Sequence, residues 1–227
     1  MSSDDDSQTK LAPDALASLP VFPLPNMVLF PGAMLPLHIF EPRYKEMIRD
    51  VMAGDRLLAM AYRKEDEVPG GPPPAIAQIV GIGEIVASEA LAEGRFNILL
   101  EGRARGRVGR ELHTGKPYRS VSVEQLVDDP GDDASPARKE SSEAALRALI
   151  EEVALRLEDD DALALRKAVR EPVSVARLTD RLASVLVTDG FARQALLETL
   201  NPWLRMDRLS REVASLLARM RPGAALN

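Results

Sequence analysis

Leu19-Pro20-Val21-Phe22-Pro23-Leu24-Pro25-Asn26-Met27-Val28-Leu29-Phe30-Pro31-Gly32-Ala33-Met34-Leu35-Pro36-Leu37-His38-Ile39-Phe40-Glu41-Pro42-Arg43-Tyr44 is the stretch on which the fold turns. Its apolar runs at 21–25, 27–30 and 34–40 are too short for helices and are broken by prolines, which remove ladder donors. They predict short, bent or edge strands. Pro42 then suits a first helical position, and Tyr44, Met47, Ile48, Val51 and Met52 recur at helical spacing until Gly54 stops the run. In this reading Glu41 favours the positive end of the helix, Tyr44 opens its buried stripe, and Arg43 suits a carboxylate partner at the mouth of a barrel.

Outward from this block, strand-like runs continue at 57–62, 76–87, 95–100, 104–112 and 118–127. Turns fall at Val68-Pro69-Gly70-Gly71-Pro72-Pro73-Pro74 and at Glu93-Gly94. Gly81-Ile82-Gly83 reads as a strand kink or bulge, because no third glycine or helix start follows it. Many short strands around one helix predict a small closed or nearly closed barrel. Near residue 130 the grammar changes. Asp128-Asp129-Pro130-Gly131-Asp132-Asp133 reads as a linker, and beyond it come helical patterns at 135–157, about 161–170, 175–187, 190–200 and 206–220. Pro172 and Asn201-Pro202 act as breakers between them. The fold class expected is α+β: a β-barrel with one inserted helix over 18–130, an α-helical bundle over 134–221, and a flexible N-terminal tail over 1–17.

Composition excludes several chemistries. The 227 residues contain no cysteine, so disulfides, thiolate zinc sites and a cysteine nucleophile are ruled out. No apolar run approaches a membrane span, and Met1-Ser2-Ser3-Asp4-Asp5-Asp6 is acidic where a secretory signal is basic, so a cytoplasmic protein without a membrane partner is expected. Gly115-Lys116 is followed by proline and lacks the upstream glycine of a phosphate loop. No Gly-x-Ser-x-Gly elbow occurs, and His38 and His113 lack the helical spacing of a zinc site. Asp159, Asp160 and Asp161 fit a turn in which one Asp caps the next helix. These readings predict a non-enzymatic protein with no metal and no cofactor.

A nucleic-acid alternative rests on Arg103, Arg105, Arg107 and Arg110, the first three of which share a strand face at period 2. Interleaved aromatics are missing there. Residues 1–133 also carry 14 basic and 21 acidic side chains, a balance that repels a polyanion. Pairing of these arginines with a neighbouring acidic strand is the competing expectation.

The quoted block closely resembles the opening of the amino-terminal domain of the Lon (La) ATP-dependent proteases. Val80-Gly81-Ile82-Gly83-Glu84-Ile85-Val86, Gly94-Arg95-Phe96-Asn97-Ile98-Leu99-Leu100-Glu101-Gly102, Pro117-Tyr118-Arg119 and Arg193-Gln194-Ala195-Leu196-Leu197-Glu198 resemble later parts of the same domain, so the likeness spans about residues 19–217. The ATPase module and Ser-Lys proteolytic domain of that family have no counterpart before Asn227. The resemblance therefore implies the recognition part: a PUA-like pseudobarrel followed by a helical bundle, which in the family helps capture unfolded or tagged protein substrates. An adaptor or regulator of proteolysis, acting on such segments or with a full-length protease, is the implied role. The resemblance hands over no site. From the residues themselves, the candidate partner surface comprises Arg43, Tyr62, Pro73, Pro74 and Trp203, although closing the bundle core is the favoured role of Trp203.

Overall fold

The chain parts into two units between Val127 and Asp128, inside the stretch where its composition changes. The computed structural model describes residues 10–64, 74–129, 131 and 135–220. The first unit runs α1 (Pro13–Leu16), β1 (Leu19–Leu24), β2 (Met34–Ile39), α2 (Pro42–Ala53), β3 (Leu57–Tyr62), β4 (Ile79–Ala90), β5 (Phe96–Leu112) and β6 (Ser120–Leu126). Its sheet has the order β2-β5-β4-β3-β1-β6, and β6 returns to pair with β5, which closes five strands into a barrel. β2 lies outside that ring, paired to the first half of β5. β1 and β3 run parallel, an arrangement made possible by the α2 crossover between them.

Alternation along β3 explains how one sheet serves two cores. Leu57, Ala59 and Ala61 join Val21, Val80, Ile82, Ala104 and Val121 in one cluster. Leu58 and Met60 meet Tyr44, Met47, Ile48 and Val51, the stripe of α2, in the other. Phe22 and Tyr44 touch there with ring centroids 4.5 Å apart. The Glu41 carbonyl accepts the first α2 bonds from Tyr44 and Lys45, while its carboxylate makes no cap.

Three sequence expectations change in this unit. Residues 27–30 form no strand; Val28, Leu29 and Phe30 are buried and pass across the barrel wall. Glycine permits that crossing, because a Cβ on Gly81 would lie 2.1 Å from the Leu29 carbonyl oxygen and one on Gly102 would lie 2.0 Å from that of Phe30. The runs at 95–100 and 104–112 are one bent strand, β5, with a register shift against β4 between Ile82 and Gly83. Finally, the tail expected over 1–17 is ordered at its end. Leu16 is buried in the barrel core, and the Leu11 N–H donates to Gln125 Oε1 at 2.9 Å. Leu11 packs against the same core cluster that Leu16 joins, apolar burial that holds this part of the chain to the barrel.

The second unit contains α3 (Pro136–Ala154), α4 (Asp159–Arg170), α5 (Val175–Leu186), α6 (Gly190–Leu197) and α7 (Pro202–Arg219). Side-chain oxygens of Ser135, Ser174, Asp189 and Asn201 cap α3, α5, α6 and α7. Asn201-Pro202 is therefore a helix start as well as a break, and α7 begins four residues before the expected 206. α4 has no side-chain cap; Asp159, Asp160 and Asp161 instead occupy its first turn, where the helix dipole favours them. α7 packs on α3, α5 and α6 through Met206, Leu209, Val213 and Leu217. Beside this stripe Arg205 is wholly buried. It donates to both Asp128 oxygens at 2.9 and 2.7 Å and to the Thr199 carbonyl at 2.7 Å, and it faces Asp180 at 3.1 Å. A charge so deep is tolerated only with such partners, so Asp128 at the head of the unit is tied to its last helix.

Candidate functional site

The seam between β1 and β6 opens after two residues. β6 pairs only with Leu19 and Pro20 of β1. The Val21 N–H still donates to the Arg119 carbonyl at 2.8 Å, but Pro23 has no N–H to continue the ladder. At this opening lies a cleft of about 380 Å³, lined by Val21 and Pro23 of β1, Arg43 and Tyr44 of α2, Pro74, and residues 111–119. Gly115, at φ +71°, lets the chain turn between β5 and β6.

Polar groups around the cleft are largely matched with one another. The Arg119 guanidinium donates to both Glu111 oxygens at 2.7 and 2.8 Å and to the Pro74 carbonyl at 2.9 Å. That guanidinium holds the Glu111 carboxyl below the usual range. Lys116 Nζ lies 2.9 Å from Asp50 and 3.5 Å from Glu46, and the Tyr118 hydroxyl donates to Asp50 at 2.6 Å. The Tyr118 bond, then Lys116, draws the Asp50 carboxyl down; Asp50 in turn raises Lys116. Partial burial, then Asp50, pushes the Tyr118 phenol well up, so it remains a donor. Arg43 is 3.0 Å from Glu41 and lies over the Tyr44 ring at 4.6 Å. The result is a wet cleft with apolar walls, fixed hydrogen-bonding groups and little uncompensated charge.

Of the residues singled out in the sequence, Arg43 and Pro74 meet here. Tyr62 ends β3 and does not line the cleft; its carbonyl accepts from the Ala77 N–H at 2.9 Å. Pro73 lies outside the described residues. Trp203 belongs to the second unit, half-buried on the first turn of α7 with Lys139 Nζ 5.4 Å from its ring. Sequence reading missed Lys116, Tyr118 and Arg119. Their signal is the Gly115-Lys116-Pro117-Tyr118 turn between two strands, whose neighbourhood to α2 no local pattern announces.

The arginine stretch offers no continuous cationic face. Ile82 pairs with Ala104 but Gly83 pairs with Gly102, so Arg103 is an extra residue that breaks the period-2 pattern. Arg105 is wholly buried, which corrects its placement on a solvent face. Arg103 pairs with Glu84 at 2.8 Å and Glu101 at 3.1 Å, and Arg107 pairs with Glu124 on β6 at 3.2 Å. Arg110 is exposed, its N–H donating to Ser122 Oγ. Among the described residues, no cluster of His, Asp and Glu could hold a metal ion, and no helix is long and apolar enough to cross a membrane. His38 Nδ1 shares a hydrogen bond with Asn97 Oδ1 at 2.8 Å rather than with a hydroxyl nucleophile.

Comparison with known proteins places these features in a family context. Residues 18–215 match the family described as the ATP-dependent protease La (LON) substrate-binding domain. Lon proteases of Geobacter metallireducens and Desulfovibrio desulfuricans are 27% and 28% identical over 199 and 218 residues, covering 85% and 91% of this chain. The chain spans only 23% and 24% of those two relatives. In fold it is similar to the N-terminal domain of a Mycobacterium avium complex Lon protease, with a TM-score of 0.66 at 19% identity, covering 87% of this chain and 98% of that one. A Lon N-terminal domain protein from Xanthomonas campestris gives a TM-score of 0.57 at 24% identity, covering 85% and 96%.

Proposed function

Because the chain belongs to the LON substrate-binding domain family, we propose that it is a non-catalytic module that captures unfolded or tagged protein segments and acts as an adaptor or regulator in proteolysis. The observation that carries this reading is the open β1–β6 seam. A folded client presents a surface; an unfolded one presents extended backbone with apolar side chains. The cleft answers both needs, with Val21, Pro23, Tyr44, Leu112 and Pro117 as apolar walls and the 113–119 turn as a source of backbone and side-chain partners. Its matched ion pairs suit sequence-tolerant capture, since no strong field of one sign selects the client. A full-length Lon protease is the natural recipient of a client held this way.

Binding of a fluorescently labelled, carboxymethylated α-lactalbumin tests this by anisotropy. The native chain is expected to bind the unfolded protein and ignore its native disulfide-bonded form. Leu112→Asp, which sets a charge on an apolar wall of the cleft, is expected to weaken binding by about tenfold with circular dichroism unchanged. Absence of binding by the native chain, or affinity indifferent to Leu112→Asp, would contradict the proposal.

A further inference from the structure

The second unit carries a groove of about 490 Å³ that none of the cleft residues touches. Val153 of α3 and Leu157 beyond its end, Ala164, Leu165 and Ala168 from α4, and Leu182, Val185 and Leu186 from α5 form most of its wall, with Leu216 of α7 and Met220 just past it. Val185 is 68% exposed although apolar, and Ala164, too, is exposed, so the surface is accessible. The size falls within the roughly 300–1,000 Å³ typical of ligand clefts.

What distinguishes the groove is its electrostatic setting. Leu157 follows the C-terminal end of α3, Leu186 ends α5, and Met220 follows α7. Three helix ends therefore turn the negative side of their dipoles toward one region. The same region receives the start of α4, where Glu158, Asp159, Asp160 and Asp161 stand in sequence, all exposed, and Asp161 lines the groove. None of the four carboxylates makes a cap or an ion pair among the described residues. One cation, Arg181, also lines the groove, but it is paired with Glu171; of the nearby arginines, Arg156 pairs with Glu152 and Arg219 donates to the Ser215 hydroxyl. An apolar floor under a negative rim complements one kind of occupant.

We infer that this groove binds a short apolar segment of a protein flanked by Lys or Arg, the apolar side chains entering between α4, α5 and α7 while the cations meet Asp161 and the helix ends. The inference rests on the client-capture reading and names, for the second unit, the chemical class of client it selects. Two labelled peptides test it, each with the same Leu- and Phe-rich half, one followed by Lys and Arg and the other by Glu. The native chain is expected to bind the basic peptide at least about tenfold more tightly at low salt, with the preference falling as salt rises. Ala164→Trp, which fills the groove from an exposed position, is expected to abolish peptide binding, and Asp161→Lys to erase the preference. Thermal melts identical to the native chain's serve as the folding control. Equal affinity for both peptides, or unchanged binding by Ala164→Trp, would overturn the assignment. If the unfolded lactalbumin still binds in that case, the client-capture reading stands and only the groove assignment falls. A dimer lost in Ala164→Trp, without peptide binding, would place a second copy there and overturn it equally.

Discussion

Gly81 and Gly32 show how differently one residue type is used in a single fold. Gly32 has φ +75° and nothing near the place of a Cβ, so its constraint is purely conformational. Gly81 has an ordinary backbone, yet its missing side chain leaves room for the Leu29 carbonyl. Gly32→Ala is expected to cost about 1 kcal/mol, the penalty of a left-handed L-residue. Gly81→Ala must displace backbone in a filled core and is expected to cost about 3 kcal/mol. Urea unfolding of the two variants checks this; equal losses would mean that residues 28–30 do not lie against the barrel wall as described.

At the scale of elements, the 113–119 turn is held to α2 by Tyr118 and Lys116 through Asp50. The Asp50 carboxyl titrates below its ordinary 3.8, so the tie is fully present above that pH and is lost as pH falls through the lowered value. Lys116 titrates above its ordinary 10.5, so its share persists below that pH and is lost as pH rises through the raised value. Asp50→Asn is therefore expected to lower the melting temperature of the first unit by about 2 °C near neutral pH. The difference should vanish in strong acid, and a constant offset across the acidic range would refute the tie. The elements themselves were largely legible. The α2 stripe, the β3 run and the α7 stripe each follow from local periodicity, and their positions agree with it. Residues 27–30 were not legible as a crossing segment, because what permits it are Gly81, Gly83 and Gly102, far along the chain. Arg105 misled for a related reason: the extra residue at Arg103 breaks the alternation, and no local pattern announces a bulge. The cleft was half legible. Arg43 and Pro74 stood out by type, whereas Lys116, Tyr118 and Arg119 matter only because β5 and β6 bring their turn to α2.

At the scale of the whole molecule, each unit carries its own surface: a hydrogen-bonding cleft at the open barrel seam in the first, and an apolar groove with an acidic rim in the second. The LON substrate-binding family to which residues 18–215 belong is a recognition domain rather than a catalytic one. The most direct test of the central claim is hydrogen–deuterium exchange of the native chain with and without carboxymethylated α-lactalbumin. Residues 21–24 of β1 and the 112–119 turn are expected to gain protection when the unfolded protein is present. Saturating binding that leaves the exchange of both stretches unchanged would contradict the claim that the open seam is where clients are held.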